Sequence, residues 1–187
     1  EFYHKEKSLL KLFKPKKLSK INIVRIAINF NEFKRSKKII KILNDLNYEV
    51  GLNLMQAHDR TKEEISNVLS EIKSWSLIID YLYFADSLGC MDNEYVKKTT
   101  ENFCADWNGH IGIHAHNNKS MALSNTLESL KHGASICDST IMGMGRGAGN
   151  AQTELLIQEM KNPLNISQLK SLNLILNKFI KLKNQYQ

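Results

Sequence analysis

The chain is poor in the residues that interrupt or staple a fold. Its 187 residues include two prolines, three cysteines and nine glycines. Pro15 falls in a basic opening segment and Pro163 in an Asn162-Pro163 break near the end. Cys90, Cys104 and Cys137 are odd in number and widely scattered, which excludes a disulfide framework and predicts reduced thiols in a cytoplasmic protein. Cys90 falls near a strand end, where an inert small thiol is the expectation over a reactive one. No apolar run is long enough to cross a bilayer, so no membrane partner is expected. The first residue is Glu1 rather than Met, and a piece of a longer protein is expected.

Charge is present but uneven. The formal net charge is +7, and 13 of the 26 lysines and arginines lie within residues 1–41. Aromatic residues do not interleave with this basic stretch and no nucleic-acid motif accompanies it. The expectation is a solvated lysine-rich face, with no nucleic acid as partner. Residues 1–20 read as a basic N-terminal segment and residues 21–187 as one domain, 42% of the whole chain being hydrophobic.

From residue 21 a rhythm sets in. Ile21 to Phe30 alternates as a strand, with Val24, Ile26 and Ile28 on one face and Ile23, Arg25, Ala27 and Asn29 on the other. Phe33 to Asn47 has helical spacing. Tyr48 to Met55 is a second strand, and Thr61 with Glu64 forms a capping box for the next helix. Leu77 to Ala85 is a third strand, and Asp92 caps a helix reaching about Asp106. The strand through Ile111 to His116 is the fourth. Ser120 to Lys131 is a helix stopped at His132-Gly133. Ala134 to Ile141 is a fifth strand, and helices over 151–161 and 166–183 follow. Alternating strands and helices joined by short loops predict an α/β fold with a parallel sheet.

Every predicted strand ends in polar residues: Asn29 to Asn31, Gln56 to Asp59, Asp86-Ser87, His116 to Asn118, and Asp138 to Thr140. Polar tips gathered at one mouth are the pattern of a (β/α)8 barrel, whereas an open sheet concentrates them at one switch point. His114 and His116 lie two apart on a strand, so both imidazoles face the same way, as a pair of metal ligands would. Asp86 and Asp138 are candidate ligands or bases, with loop anchoring through backbone N–H groups the stronger expectation. His58 is expected to be a hydrogen-bonding residue at the mouth, with a catalytic role as the alternative. Gly143 to Ala148 also fits a loose dinucleotide fingerprint, but a loop that lets backbone come close to a substrate or metal is the better reading.

Three segments together resemble a known superfamily, that of the pyruvate aldolases, HMG-CoA lyases and isopropylmalate synthases. Asp86-Ser87-Leu88-Gly89-Cys90-Met91 resembles its strand-five signature, and His114-Ala115-His116-Asn117-Asn118 its strand-six metal motif. Gly143-Met144-Gly145-Arg146-Gly147-Ala148-Gly149-Asn150 resembles its strand-seven loop. The likeness covers residues 21–160. The glycine loop followed by Ala151-Gln152-Thr153-Glu154 is most similar to the 4-hydroxy-2-oxovalerate aldolase branch.

The resemblance implies strands three to seven of an incomplete (β/α)8 TIM barrel. It implies a lyase that cleaves a 4-hydroxy-2-oxo acid to pyruvate and an aldehyde, a reaction of aromatic hydrocarbon catabolism. It further implies a divalent metal, Mn²⁺ first and Mg²⁺ or Zn²⁺ as alternatives. His114, His116 and Asn150 would hold the metal, while Ser87 and His114 would contact the 2-oxo acid. A homo-oligomer or a partner dehydrogenase would also fit the family. The chain departs from the family pattern at its first strand and in lacking the family's C-terminal segment. The Arg-Asp pair and general-base His of the family's first strand are absent, and the catalytic residues are expected upstream of Glu1. A Claisen-type acyltransferase using acetyl-CoA and a non-catalytic remnant are the alternatives.

Overall fold

The computed structural model describes residues 12–160 and 164–186. Five strands form one parallel sheet in sequence order: β1 (Ile23–Asn29), β2 (Glu49–Met55), β3 (Tyr81–Asp86), β4 (His110–Ala115) and β5 (Ile136–Cys137). Helices α1 (Lys37–Asp45), α2 (Lys62–Ser74), α3 (Asn93–Asp106) and α4 (Ala122–Lys131) make the crossovers, and α5 (Thr153–Glu159) and α6 (Ile166–Tyr186) follow β5. This is the predicted β/α alternation, as a sheet that does not close on itself. The opening segment is only partly described. Its residues near 13–16 dock on the fold, with the Phe13 ring 6.2 Å from that of Tyr48 and the Lys16 N–H bonded to the Leu46 carbonyl at 3.0 Å.

Period-two alternation decides where the core lies. Ile26 and Ile28 of β1, Leu52 and Leu54 of β2, Leu82 and Phe84 of β3, and Ile111 and Ile113 of β4 are buried in one core cluster. Ile40, Leu43, Leu69 and Phe103 join that cluster from the helices. The other face carries Arg25, Asn53, Tyr83, Gly112 and His114. It stays open among the described residues because no further strand wraps around it.

Local chemistry sets the helix ends. Thr61 Oγ1 accepts the Glu64 N–H at 3.2 Å while Glu64 Oε2 accepts the Thr61 N–H at 2.7 Å, completing the predicted capping box. Asp92 accepts the Tyr95 N–H at 2.8 Å and so starts α3. Gly133, at φ +115°, ends α4 as the sequence predicts.

Several boundaries moved, the third strand starting at Tyr81 rather than Leu77 and the first spanning Ile23–Asn29 rather than Ile21 to Phe30. The helix expected from Phe33 begins as a 3-10 segment over Phe30–Ser36, where the Ser36 hydroxyl donates to the Phe33 carbonyl at 2.6 Å. Helix α4 starts at Ala122 rather than Ser120, since Ser120 has φ +58° and the Asn117 side chain caps the Ala122 N–H at 3.0 Å. The fifth strand keeps only Ile136–Cys137 of the expected Ala134 to Ile141. Asp138 still donates its N–H to Ile113, but Thr140 then bonds Ala151, so the chain leaves the sheet for its own loop.

Candidate active site

The open face is built from glycines placed opposite large side chains. Gly51 pairs with Arg25 in the β1–β2 ladder, and a methyl on Gly51 would come within 3.0 Å of the arginine's Cγ. Gly112 pairs with Tyr83 in the β3–β4 ladder, and a methyl there would collide with the tyrosine ring. The arginine stem therefore lies across β2, and the tyrosine lies across β4. The Arg25 guanidinium carbon sits 4.6 Å from the centre of the Tyr83 ring.

Above this floor the strand tips enclose a cavity of about 570 Å³ lined in part by Asn29, Gln56, Ser87, His114, His116 and Arg146. Four of the predicted polar tips thus meet at one mouth. His114 and His116 project together as the strand period requires, with ring centroids 5.1 Å apart and planes 80° apart. The Ser87 Oγ accepts the Gln56 N–H at 2.9 Å, which leaves its own proton free to donate.

Asp138 binds neither a loop nor an open ligand position. It accepts two bonds from Arg25, Nη1 to Oδ1 and Nη2 to Oδ2, each 2.7 Å, and its Oδ2 lies 2.7 Å from His114 Nδ1. Burial pushes the Asp138 pKa up, but the bonds from His114 and Arg25 more than offset it and hold the group below the usual carboxylate range. An ionised carboxylate only accepts, so the proton between the two groups sits on His114 Nδ1. That leaves Nε2 as the ring nitrogen facing away from Asp138, the atom that can take a metal.

The His116 pKa is lowered, which favours the neutral ring. Burial lowers its pKa first, followed by His114 and the Arg146 charge, while Asp86 and a backbone bond to Gly149 pull the other way. Asn150, bridged to His116 across the backbone, is buried and its Oδ1 has no hydrogen-bond partner. The glycine loop makes this possible. Gly145 leaves room for the Asn150 amide, and Gly149, at φ +86°, packs on the Gly143 carbonyl. Two of the loop's N–H groups turn back on the loop itself, Gly149 to the Arg146 carbonyl and Asn150 to the Gly143 carbonyl. A divalent cation fits these donors: His114 Nε2, the His116 ring and the orphaned Asn150 oxygen.

Asp86 anchors its loop as predicted, accepting the Cys90 N–H at 3.0 Å and the Met91 N–H at 3.1 Å. The buried Nδ1 of His58 has no partner. It forms a second donor cluster with Asp86 and Cys90, all three ligand atoms lying within 4.8 Å of one another. The Cys90 thiol is pushed up by burial, then by Asp86 and Asp59, and so stays protonated. Sequence reading missed the Arg25–Asp138–His114 chain and the placing of Arg146 at the mouth. Only the charge of Arg25 on a strand face shared with Ile23, Ala27 and Asn29 hinted at it.

The fold and site define a class: the β/α units of a barrel with paired histidines at the strand tips. The chain belongs to the HMGL-like family, whose model matches residues 20–183. It is similar to a 4-hydroxy-2-oxovalerate aldolase from Carboxydothermus hydrogenoformans, 36% identical over 135 residues, which is 72% of this chain and 40% of that protein. A 4-hydroxy-2-oxovalerate aldolase from Pelotomaculum thermopropionicum is 33% identical over 141 residues, 75% of this chain and 41% of that one. The chain therefore spans about 40% of the length of such curated relatives. Among solved structures, the N-terminal domain of a protein assigned as an aldolase from Bacteroides vulgatus superposes with TM-score 0.79 at 29% identity, covering 95% of this chain and 62% of that one. The carboxyl transferase domain of Rhizobium etli pyruvate carboxylase, at 12% identity, TM-score 0.75 and coverage of 89% of this chain and 29% of that one, shares the fold alone.

Proposed function

We propose that the complete protein is a metal-dependent carbon–carbon lyase that cleaves a 4-hydroxy-2-oxo acid to pyruvate and an aldehyde. The carrying observation is the rim that combines His114, held by Asp138 through Nδ1, with His116 and a partnerless Asn150 oxygen at one loop junction. In this reading His114, His116 and Asn150 hold the ion, with Mn²⁺ the first choice for a nitrogen and oxygen donor set. The ion would act as a Lewis acid for the negative charge that develops on the pyruvyl oxygens. Ser87 donates its hydroxyl proton to the 2-oxo acid. Asn53, whose buried Oδ1 has no partner in the same cavity, offers an acceptor to a substrate hydroxyl. The proton on the 4-hydroxyl must go to a base, which this reading assigns to a residue outside residues 1–187.

The test is His114→Ala in the complete protein. Mn²⁺ retained through gel filtration and pyruvate released from 4-hydroxy-2-oxovalerate should both fall to background. Pyruvate release at the wild-type rate would overturn the assignment.

A further inference from the structure

We propose that Arg25 is a positioning residue which, through Asp138, fixes the tautomer and orientation of His114 and so presents its Nε2 to the metal. This rests on the reading above. The guanidinium takes both carboxylate oxygens of Asp138 at 2.7 Å, a fork-on-fork arrangement. That contact ties β1 to the segment after β5, residues 113 positions apart. With both oxygens held, the carboxylate cannot rotate away from His114 Nδ1, 2.7 Å from Oδ2.

The arginine is itself held in place. Its stem fills the space Gly51 leaves empty, and its head rests on the Tyr83 ring, which is seated over Gly112. Four adjacent strands therefore contribute to holding one guanidinium. An arginine recruited only to join the sheet ends would not need this bed, since partly exposed ion pairs contribute little by themselves. The side chains of Arg25 and Asp138 are 37% and 21% exposed. The arrangement is that of a ligand histidine oriented by a carboxylate, with the carboxylate oriented in turn by an arginine.

The experiment compares wild type, Arg25→Met and Arg25→Lys in the complete protein. Imidazole ¹⁵N–¹H spectra without metal read the His114 tautomer, and Mn²⁺ titration reads affinity. Wild type should show His114 only as the Nδ1–H form. Arg25→Met keeps the stem over Gly51 but frees Asp138. His114 should then show a mixture of tautomers, and Mn²⁺ affinity should drop about 10–100-fold, the usual cost of losing an outer-shell partner. Arg25→Lys restores charge without the fork and should recover the affinity in part. A wild-type tautomer and affinity in Arg25→Met would overturn the inference while leaving the metal site standing. Should Arg25→Met fail to fold, the lysine variant decides: affinity and tautomer both unchanged would equally overturn it. A wild-type protein that binds no Mn²⁺, yet whose tautomer responds to Arg25→Met, would sink the lyase reading and keep the positioning role.

Discussion

Asp138 carries more of the site than its place in the sequence indicates. Its fold-lowered pKa links it to stability. A carboxylate depressed by folding contributes stability that is fully present above its unfolded value, about 3.9, and is lost as pH falls through the folded value. Asp138→Asn should therefore be less stable than wild type at neutral pH, and the gap should narrow below about pH 4. Urea unfolding at a series of pH values checks this, and a gap of constant size would show that the carboxylate's charge is not what matters. Nothing around Asp138 in the sequence signals its partners. Arg25 lies 113 positions away, and only the curvature of the sheet brings the two together. His114 and His116 are the opposite case, since a two-residue spacing on a strand fixes their common face wherever the sheet goes.

At the scale of elements, the loop after β5 is the most constrained piece. Gly143, Gly147 and Gly149 all have positive φ, and Asn150 reaches His116 only because the loop folds tightly on itself. In Gly149→Ala the added methyl would meet the Gly143 carbonyl in a left-handed conformation that L side chains avoid. We expect a loss of about 2–4 kcal/mol in thermal or urea unfolding, combining overpacking with the left-handed penalty, and weaker Mn²⁺ binding because Asn150 moves. An unchanged melting temperature would mean that the loop relaxes freely. The helices were more legible than the last strand. Thr61 with Glu64 and Asp92 with Tyr95 are contacts within three residues, so sequence suffices to place them. The fifth strand looked longer because Ser139 to Ile141 continue its residue pattern, whereas Thr140 bonds Ala151 instead of β4.

Over the whole molecule, five parallel strands leave β1 and β5 as outer strands and one sheet face uncovered among the described residues. Ile23 at the edge strand is 47% exposed, and α6 leaves Ile166 and Leu174 more exposed still. Open strand edges and apolar surface of this kind recruit further chains. Residues 1–187 expressed alone should self-associate, eluting ahead of a 21.5 kDa monomer and binding a hydrophobic dye. A sharp monomeric peak without dye binding would show that this face tolerates water.

The amino-acid sequence by itself determined the order of strands and helices, the two faces of the first strand and the pairing of His114 with His116. Those features depend on the period of the backbone and on contacts a few residues apart. The tertiary structure alone decided that Arg25 reaches Asp138, that Asp138 selects the His114 tautomer, and that Asn150 is left with an unpaired oxygen beside His116. Each of these requires two distant segments to approach within bonding distance, and sheet curvature and loop closure, rather than local residue preference, set that approach.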